Sequence, residues 1–366
     1  MRVVGVSLPD SSDWREPLPA GKWSQFFGAL GRRLDVVDVV HPRASALEQA
    51  LNLARTIRPG RARWLAAAGF NQRHVSAVNA SLERLLRTRA GSYDLIMQLQ
   101  TLCSPRSRRA AEPYVIYTDN TMALTQRLYP PFAPLSPRLL DQWLQFEASV
   151  CRGARVVFTF SEFARESVIG DYGCPEDRVI AVGAGANQLV VSVADKSYDR
   201  PRALFVGRPF APKGGHVLLE AWRQVRRRVP DAELVIAGPK RDPAPGFGEG
   251  VTWVGRLSRA QLAEQYQAAS VFVLPSMFDA WGHVFIEAMG HGLPCIACDC
   301  CAMPEIVRAG ESGLLVARGQ HEPLAHALVS LLADPAAARR MGQAGHRRVL
   351  NELTWDHVAG RVVEAL

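Results

Sequence analysis

Three features are missing from this 366-residue sequence, and each absence narrows its class. No run of 18 apolar residues occurs, so no membrane-spanning helix is predicted. The seven cysteines do not form a paired framework, because four of them crowd between Cys295 and Cys301, and this excludes a secreted disulfide scaffold. The first residues become polar too early for a signal peptide, so the expected compartment is a reducing cytoplasm.

Lysine is also scarce, with four lysines against 39 arginines, and the net charge of +8 suits a phosphate-bearing partner. Eight arginines and one glutamate lie between Arg55 and Arg89, a local balance of +7, and Arg106, Arg108 and Arg109 add to it. This Arg55–Arg109 region is either a solvated helix surface or a patch for anionic lipid or a phosphorylated acceptor. No nucleic-acid module is recognisable, so nucleic acid is not expected. Peripheral contact with the inner membrane face is the hypothesis that follows.

The order of predicted elements indicates an α/β protein with two domains. Apolar residues make up 48% and charged residues 21%, as in globular proteins, and the length suits two domains. Buried-type strands alternate with helices up to about residue 187, a polar segment follows, and the alternation then restarts. Continuous apolar strands between helices are typical of parallel sheets covered on both faces. We therefore predict two facing, Rossmann-like doubly wound domains, with a boundary near residue 195 and a ligand cleft between them.

The first strand of the second half leads into a glycine-containing loop and then a helix, the place where an open α/β sheet binds phosphate. Arg208 and Lys213 put two cations on this loop. Fixed cations stabilise a departing diphosphate, whose negative charge grows as its bond breaks. An earlier glycine stretch, Gly183–Asn187, has Gln188 where a dinucleotide loop needs glycine, so a nicotinamide enzyme is excluded.

A second candidate stretch runs from Phe278 to Gly290 and follows a buried strand. Gly282 permits close approach of backbone to a ligand, and the helix that starts there presents an anion-binding N-terminus. Asp279 and Glu287 are eight residues apart, roughly 12 Å along a helix, so they would grip two ends of an extended ligand rather than act on one bond. The simpler alternatives are an N-cap for Asp279 and a solvated charge for Glu287.

The segment from Ser276 to Ala297 resembles the signature of retaining nucleotide-sugar glycosyltransferases of family 4, which have the GT-B fold. The pattern there is Glu-x7-Glu followed by Ala-x-x-x-Gly-x-Pro, matched here by Glu287, Ala288, Gly292 and Pro294. Further similar stretches are Gly207–Gly214, Met303–Val307, Gly313–Val316 and Thr354–His357. The resemblance covers about residues 155–366. It implies an acceptor-binding domain over 1–195, a donor-binding domain over 196–350, and a C-terminal helix over 351–366 that crosses back to the first domain.

The resemblance also implies roles for single residues. Glu287 would hold the donor ribose, Asp279 would contact the donor sugar, and Leu257 lies where backbone reads the base. Asp279 is one methylene shorter than the usual glutamate at its position. The side chains of Arg208 and Lys213 would hold the diphosphate, and backbone at Gly282, His283 and Val284 would approach the phosphates or the sugar.

The first half matches the family less well. Family members often have a Gly-Gly loop after the first strand, where this chain has one glycine, so Gly21 and Lys22 are assigned to the acceptor side of the cleft. Asp119 follows an apolar strand and is either an acceptor-positioning and charge-stabilising carboxylate or a turn-forming residue.

The resulting prediction is a cytoplasmic, retaining glycosyltransferase that uses a nucleotide-diphosphate sugar, with UDP favoured, by front-face substitution without a metal. The nucleotide sugar is a co-substrate, and no separate cofactor is expected. The acceptor is open, with a lipid-linked or anionic one as a hypothesis. The Cys295–Cys301 cluster has thiolates that zinc accepts, but no second paired set follows, so no metal is assigned. The alternatives are a nucleotide-sugar epimerase of the same fold and a non-catalytic GT-B binding subunit.

Overall fold

The computed structural model describes residues 1–7, 21–105, 112–187, 192–240 and 248–366. The chain forms two compact units. Unit 1 comprises Met1–Gly183 together with Trp355–Leu366, and unit 2 comprises Ala184–Thr354. The sequence prediction placed the first boundary near residue 195 and the return to the first domain at residue 351. The polar segment that suggested 195 thus belongs to unit 2.

Unit 1 is built on a six-stranded sheet in which every strand pair is parallel. Its strands are β1 (Arg2–Val6), β2 (Asp35–Val40), β3 (Leu95–Leu99), β4 (Tyr114–Thr118), β5 (Val157–Thr159) and β6 (Val179–Ala181), in the order β2-β1-β3-β4-β5-β6. Its helices are α1 (Lys22–Gly31), α2 (Ala46–Arg55), α3 (Arg61–Gly69), α4 (Gln72–Arg87), α5 (Met122–Leu128), α6 (Pro137–Gly153), α7 (Glu162–Gly170) and, from the end of the chain, α14 (Trp355–Glu364).

Unit 2 has a second six-stranded parallel sheet. Its strands are β7 (Arg202–Val206), β8 (Glu233–Ala237), β9 (Val251–Gly255), β10 (Val271–Leu274), β11 (Cys295–Cys298) and β12 (Gly313–Val316), in the order β12-β11-β10-β7-β8-β9. Its helices are α8 (Gly215–Arg228), α9 (Arg259–Ala268), α10 (His283–Gly290), α11 (Met303–Ile306), α12 (His321–Leu332) and α13 (Pro335–Glu352).

The sequence explains why these segments take these forms. The central strands β3, β4 and β10 are apolar runs buried along their whole length, as expected for strands covered by helices on both faces. Helix α4 carries one buried stripe of Val75, Val78, Leu82 and Leu86. Two helices, α2 and α9, start with complete capping boxes on Ser45 and Ser258.

An aromatic cluster fixes helices α1 and α14 in unit 1. The Phe26 and Tyr117 rings lie 4.6 Å apart, the Tyr117 and Phe160 rings also 4.6 Å, and Trp355 meets Phe26 edge-on at 6.0 Å. All four side chains are buried. Aromatic clusters stabilise a fold by more than their buried area alone accounts for, because the rings also attract one another. This one cluster therefore holds both α1, near the start of unit 1, and α14, at the end of the chain.

Candidate active site

The strand order of unit 2 defines its binding edge. The chain runs from β7 outward through β8 and β9, then returns to the other side of β7 to form β10. Loops that follow two such strands diverge, and the opening between them is where α/β sheets bind ligands. Lys213 lies in the loop after β7 and Asp279 in the loop after β10. Their side chains form an ion pair, with Lys213 Nζ 2.6 Å from Asp279 Oδ2, so two predicted donor residues meet at this opening.

Backbone contacts fix the two loops against each other. The Met277 N–H donates to the Pro212 carbonyl at 2.9 Å. Gly214 has φ of +76°, and a Cβ there would lie 1.8 Å from the Pro275 carbonyl oxygen. Only glycine fits this position, because it both adopts the left-handed conformation and leaves room for the carbonyl. Arg208, the other predicted cation, is exposed on the same loop.

The Lys213–Asp279 pair is shielded from water but not sealed from it, since the side chains are 19% and 15% exposed. A charge pair in such a place interacts more strongly than one on the open surface. An anionic ligand that binds Lys213 must therefore share the ammonium group with Asp279. The pair therefore presents a cation and an anion side by side at this opening.

Glu287 lies on α10, in the turn after its start, with its carboxylate largely buried. Asn187 Nδ2 donates to Oε1 and the Tyr266 hydroxyl donates to Oε2, both at 3.4 Å. Burial raises the pKa of Glu287 above its ordinary value, although these two donors and the charge of Arg259 act in the opposite direction. Hydrogen bonds of 3.4 Å are long. The carboxylate therefore keeps the capacity to accept shorter hydrogen bonds from ligand hydroxyls.

A buried group of residues holds Tyr266 beside Glu287. The Tyr266 ring stacks on His291 with centroids 5.0 Å apart, and it is 2% exposed. The buried Lys196 ammonium donates to the carbonyls of Tyr266, Gln267 and Ala269 at 2.9, 3.1 and 2.9 Å. Burial lowers the pKa of Lys196 to about 8. Sequence reasoning missed this group, and the one available signal was that Lys196 is one of only four lysines.

The start of α10 differs in detail from the expected open anion site. The His283 N–H donates to the Trp281 carbonyl at 3.0 Å, and the Phe285 N–H donates to the Gly282 carbonyl at 2.9 Å. A Cβ on Gly282 would lie 2.4 Å from the Phe285 ring, so glycine is required here for packing within the chain. Val284 is the next residue of the helix, and Leu257 lies half-buried between β9 and α9.

Unit 1 has its own switch of strand direction, between β1 and β3, and the predicted acceptor residues gather there. Lys22 is the first residue of α1, after Gly21 as its N-cap, and its Nζ lies 3.0 Å from Asp119 Oδ2. The ammonium also lies 4.4 Å from the centroid of the Trp23 ring, a cation–π distance. Lys22 and Asp119 thus form a second partly buried ion pair. Residues 8–20, which precede Gly21 in the sequence, lie outside the described residues.

Gln100 completes this arrangement, and the sequence prediction did not include it. Its Nε2 donates to Asp119 Oδ1 at 2.9 Å, and its backbone has φ of +64°, rare for a residue with a side chain. Positive φ at non-glycine residues occurs often at functional sites. The signal was available, because Gln100 follows a buried strand just as Asp119 does.

The cysteine cluster adjoins the donor loop. The Cys300 thiol donates to the carbonyl of Ser276, in the loop after β10, at 3.9 Å. All seven cysteines are free thiols. In the part of the chain that the structure describes, no group of three or more His, Cys, Asp or Glu side chains is arranged to hold a metal ion.

The fold and these edges define the class of the protein. Two doubly wound parallel sheets, each with polar residues at its change of strand direction, form the α/β fold of the GT-B type, and the predicted fold class is confirmed. Residues 192–348 match the family described as glycosyl transferases group 1. The matched range contains Arg208, Lys213, Asp279 and Glu287.

Curated relatives and solved structures agree with this match. Over 259 residues the chain is 32% identical to the alpha-maltose-1-phosphate synthase of Mycolicibacterium smegmatis, covering 62% of this chain and 65% of that protein. It is 35% identical over 186 residues to the Mycobacterium tuberculosis enzyme of the same name, covering 45% of this chain and 47% of that protein. The match thus spans about half to two thirds of these relatives.

Two structures share the fold over nearly their whole length. The sucrose-phosphate synthase of Thermosynechococcus elongatus has a TM-score of 0.71 at 21% identity, covering 99% of this chain and 97% of its own. Anabaena HepE in complex with UDP has a TM-score of 0.69 at 15% identity, covering 100% and 99%.

Proposed function

We propose that this protein is a retaining glycosyltransferase that moves a sugar from a nucleotide-diphosphate sugar to an acceptor hydroxyl. The observation that carries the proposal is the Lys213–Asp279 pair at the opening of the second sheet, within the range matched to group 1 glycosyl transferases. We favour a UDP-sugar as donor, and the UDP complex of a protein with this fold supports that choice.

The proposed roles follow from the chemistry of each side chain. Lys213 and Arg208 bind the diphosphate as point charge and as guanidinium fork. Glu287 accepts hydrogen bonds from the ribose hydroxyls, for which its two long contacts leave capacity. Asp279 contacts the donor sugar while it orients Lys213. Backbone at Gly282, His283 and Val284 borders the diphosphate, and Leu257 borders the base.

The proposed reaction is a front-face substitution. The bond between the anomeric carbon and the diphosphate oxygen breaks, and the acceptor oxygen bonds to the same face of that carbon. The departing phosphate oxygen takes the acceptor proton. Lys213 and Arg208 stabilise the charge that grows on the leaving group, so the scheme uses no metal ion and no cofactor besides the co-substrate. Asp119 orients the acceptor or stabilises positive charge on the sugar ring.

We also propose that the acceptor is lipid-linked or anionic and that unit 1 contacts an anionic membrane from the cytoplasmic side. Large apolar side chains on and beside α2 and α3 face solvent, namely Leu47, Leu51, Ile57 and Leu65, at 44–69% exposure. Exposed arginines surround them, namely Arg55, Arg58, Arg61 and Arg63. Apolar side chains flanked by arginines suit the headgroup region of an anionic bilayer. No helix among the described residues is long and apolar enough to span a membrane.

The deciding experiment combines binding and product analysis. UDP, GDP and their sugar conjugates are tested by thermal shift against wild type and Glu287→Ala, with Glu220→Ala as a control at an exposed site. We expect one nucleotide to stabilise wild type and the control, and to lose its effect with Glu287→Ala. The donor that binds is then incubated alone and with hydroxyl acceptors. A sugar-nucleotide isomer formed from donor alone would favour the epimerase, and no shift by any nucleotide would remove the proposal.

A further inference from the structure

A buried carboxylate in unit 1 lies beside the acceptor-side residues without belonging to them. Glu147 is on α6 and is 4% exposed. Its Oε1 accepts a hydrogen bond from the Thr101 hydroxyl, and its Oε2 accepts from the Tyr172 hydroxyl and, at 2.9 Å, from the Met122 N–H. Burial raises the pKa of Glu147, while these three donors favour its ionised form. A buried carboxylate is costly unless donors surround it, and here they do.

Two of the three donors lie on or directly after the loops that form the acceptor-side site. Thr101 directly follows Gln100, and Met122 is three residues beyond Asp119 at the start of α5. Through these hydrogen bonds Glu147 connects the loop after β3 to the start of α5, which follows the loop after β4.

Other buried hydrogen bonds hold the same loops. Gln98 Nε2 donates to the carbonyls of Gln100 and Cys103 at 2.8 and 2.7 Å. The Thr121 and Ser167 hydroxyls lie 2.6 Å apart. Together with Glu147, these contacts hold Gln100 at its positive φ, which the residue does not prefer by itself. Gln100 Nε2 and Lys22 Nζ then reach the two oxygens of Asp119.

We propose that Glu147 is a positioning residue that sets the geometry of the Asp119 carboxylate by fixing the loops of Gln100 and Asp119. Glu147 does not touch the acceptor. The significance of this role rests on the proposed function, since Asp119 faces the acceptor there, but the geometry itself is testable without any substrate.

The first test is structural and uses the scarcity of lysine. The protein is reductively methylated with ¹³C, and the Lys22 methyl resonance is assigned by its loss in Lys22→Arg. We expect Asp119→Asn to shift this resonance, and Glu147→Gln and Tyr172→Phe to shift it in the same direction. The Lys213 and Lys240 resonances should stay in place. Glu166→Gln, at an exposed site on α7, is the matched control.

If the Lys22 resonance is unchanged in both folded variants, Glu147 does not position Asp119 and the proposal is wrong. Tyr172→Phe keeps the test valid if Glu147→Gln fails to fold, because it removes one hydrogen bond and leaves the carboxylate. This readout requires no catalysis, so an inactive protein would overturn the proposed function and leave this inference testable.

The second test is kinetic and uses the donor and acceptor that the binding and product analysis identifies. We expect Glu147→Gln to lower the transfer rate about 10- to 100-fold, as displacement of a reacting geometry does, with nucleotide binding unchanged. In an Asp119→Asn background the same substitution should add little, because the two residues act through one path. Full additivity of the two losses would contradict the proposal.

Discussion

At the scale of single residues, Glu287 has two opposed requirements. In the proposed donor site its carboxylate must be charged to bind ribose hydroxyls well, yet burial favours its neutral form. The two donors around it, Asn187 and Tyr266, compensate for burial only through long contacts. A ligand that supplies two hydroxyls would satisfy the carboxylate better than the free protein does. The free protein therefore keeps an incompletely satisfied carboxylate at this position, and this lowers its stability.

We expect this cost to appear in the pH dependence of stability. A pKa raised in the native state means that the native protein binds a proton at a pH where the unfolded chain has lost it. The contribution of Glu287 to stability should therefore rise as pH falls from above its native pKa toward its ordinary value of 4.5. The measurement is urea unfolding from pH 8 to 4.5 for wild type and Glu287→Gln. The difference between the two should shrink as pH falls, and a constant difference would contradict the assignment.

The Lys213–Asp279 pair leads to an unusual expectation for product binding. Asp279→Asn releases Lys213 from its partner, so nucleotide diphosphate should bind about two- to fivefold more tightly, in line with the strength of a partly exposed pair. Lys213→Met should weaken the same binding, while sugar transfer should fall with both substitutions. Titration calorimetry with UDP measures the first two effects. Weaker UDP binding by Asp279→Asn would show that Asp279 does not compete for Lys213.

Sequence reasoning found the charged residues of the candidate sites but not the buried side chains that support them. Lys213, Asp279 and Glu287 lie in a recognisable motif, and Lys22 and Asp119 follow from the rule that ligands bind at strand ends. Tyr266 and Glu147 lie inside helices, where a buried polar side chain looks like any other helix residue in sequence. Their roles depend on contacts between segments far apart in the chain, and periodicity carries no information about such contacts.

At the scale of secondary-structure elements, the end of α9 depends on one lysine. The last carbonyls of a helix lack partners within it, and the Lys196 ammonium satisfies those of Tyr266, Gln267 and Ala269. We expect Lys196→Met to lower the unfolding free energy by about 2–4 kcal/mol, because it leaves buried carbonyls unpaired. Lys240→Met, at an exposed position, is the matched control. Equal melting temperatures for the two variants would contradict this role.

Helices α2 and α3 give the membrane proposal its test. Leu47 and Leu51 lie on the solvent side of α2, Ile57 lies between the two helices, and Leu65 lies on α3. We expect the protein to bind vesicles of anionic lipid. Changing two of these residues to Ser should weaken this binding about fivefold or more, and high salt should abolish it. Flotation of the protein with anionic and with neutral vesicles measures this.

The arginines require a separate control. Arg89 is paired with Asp38, and Arg87 is within 3.9 Å of Glu83, so these two are less available to lipid than Arg55 and Arg58. We expect Arg55→Ala with Arg58→Ala to reduce anionic vesicle binding more than Arg87→Ala with Arg89→Ala. Arg106, Arg108 and Arg109 lie outside the described residues. Equal binding to neutral vesicles would contradict the electrostatic part of the proposal.

Elements with a clear inward stripe or a continuous apolar run were predictable. The apolar stripe within Asn71–Arg89 predicts helix α4 to within two residues, and the runs Glu233–Ala237 and Val271–Leu274 predict strands β8 and β10. Helices α2 and α3 were not assigned, because several of their large apolar residues face solvent and blur the helical period. Helices α6, α7 and α13 and strand β12 were also left unassigned. Glycine and short length hide β12, whose residues are nevertheless part of the family-like stretch Gly313–Val316.

At the scale of the whole molecule, the two sheets are not copies of one topology. When the strands are numbered within each unit, the second sheet, read from β9 to β12, has the order 3-2-1-4-5-6. The first sheet has the order 2-1-3-4-5-6. Both are doubly wound orders with one switch point beside the first strand. The alternation of strands and helices predicts parallel sheets. It does not show how many strands are added on one side of the first strand before the chain crosses to the other side. The binding edges could therefore be expected, whereas the strand orders required the structure.

The end of the chain tests whether the two units are separate in stability. Trp355–Leu366 belongs to unit 1, where the buried Trp355 meets Phe26, although the preceding residues belong to unit 2. We expect Trp355→Ala to destabilise unit 1 by about 3–5 kcal/mol, the usual cost of deleting a buried tryptophan side chain. Nucleotide should then still raise the melting temperature of unit 2, since the residues proposed to bind it lie there.

Calorimetry with and without UDP separates these effects. In Trp355→Ala, we expect a low-temperature transition that UDP does not move and a second transition that it raises. Leu328→Ala, at a fully buried position on α12, is the matched control in unit 2 and should lower the transition that responds to UDP. If Trp355→Ala instead abolishes the UDP-dependent shift, the donor site depends on unit 1. The assignment of nucleotide binding to residues of unit 2 alone would then be wrong.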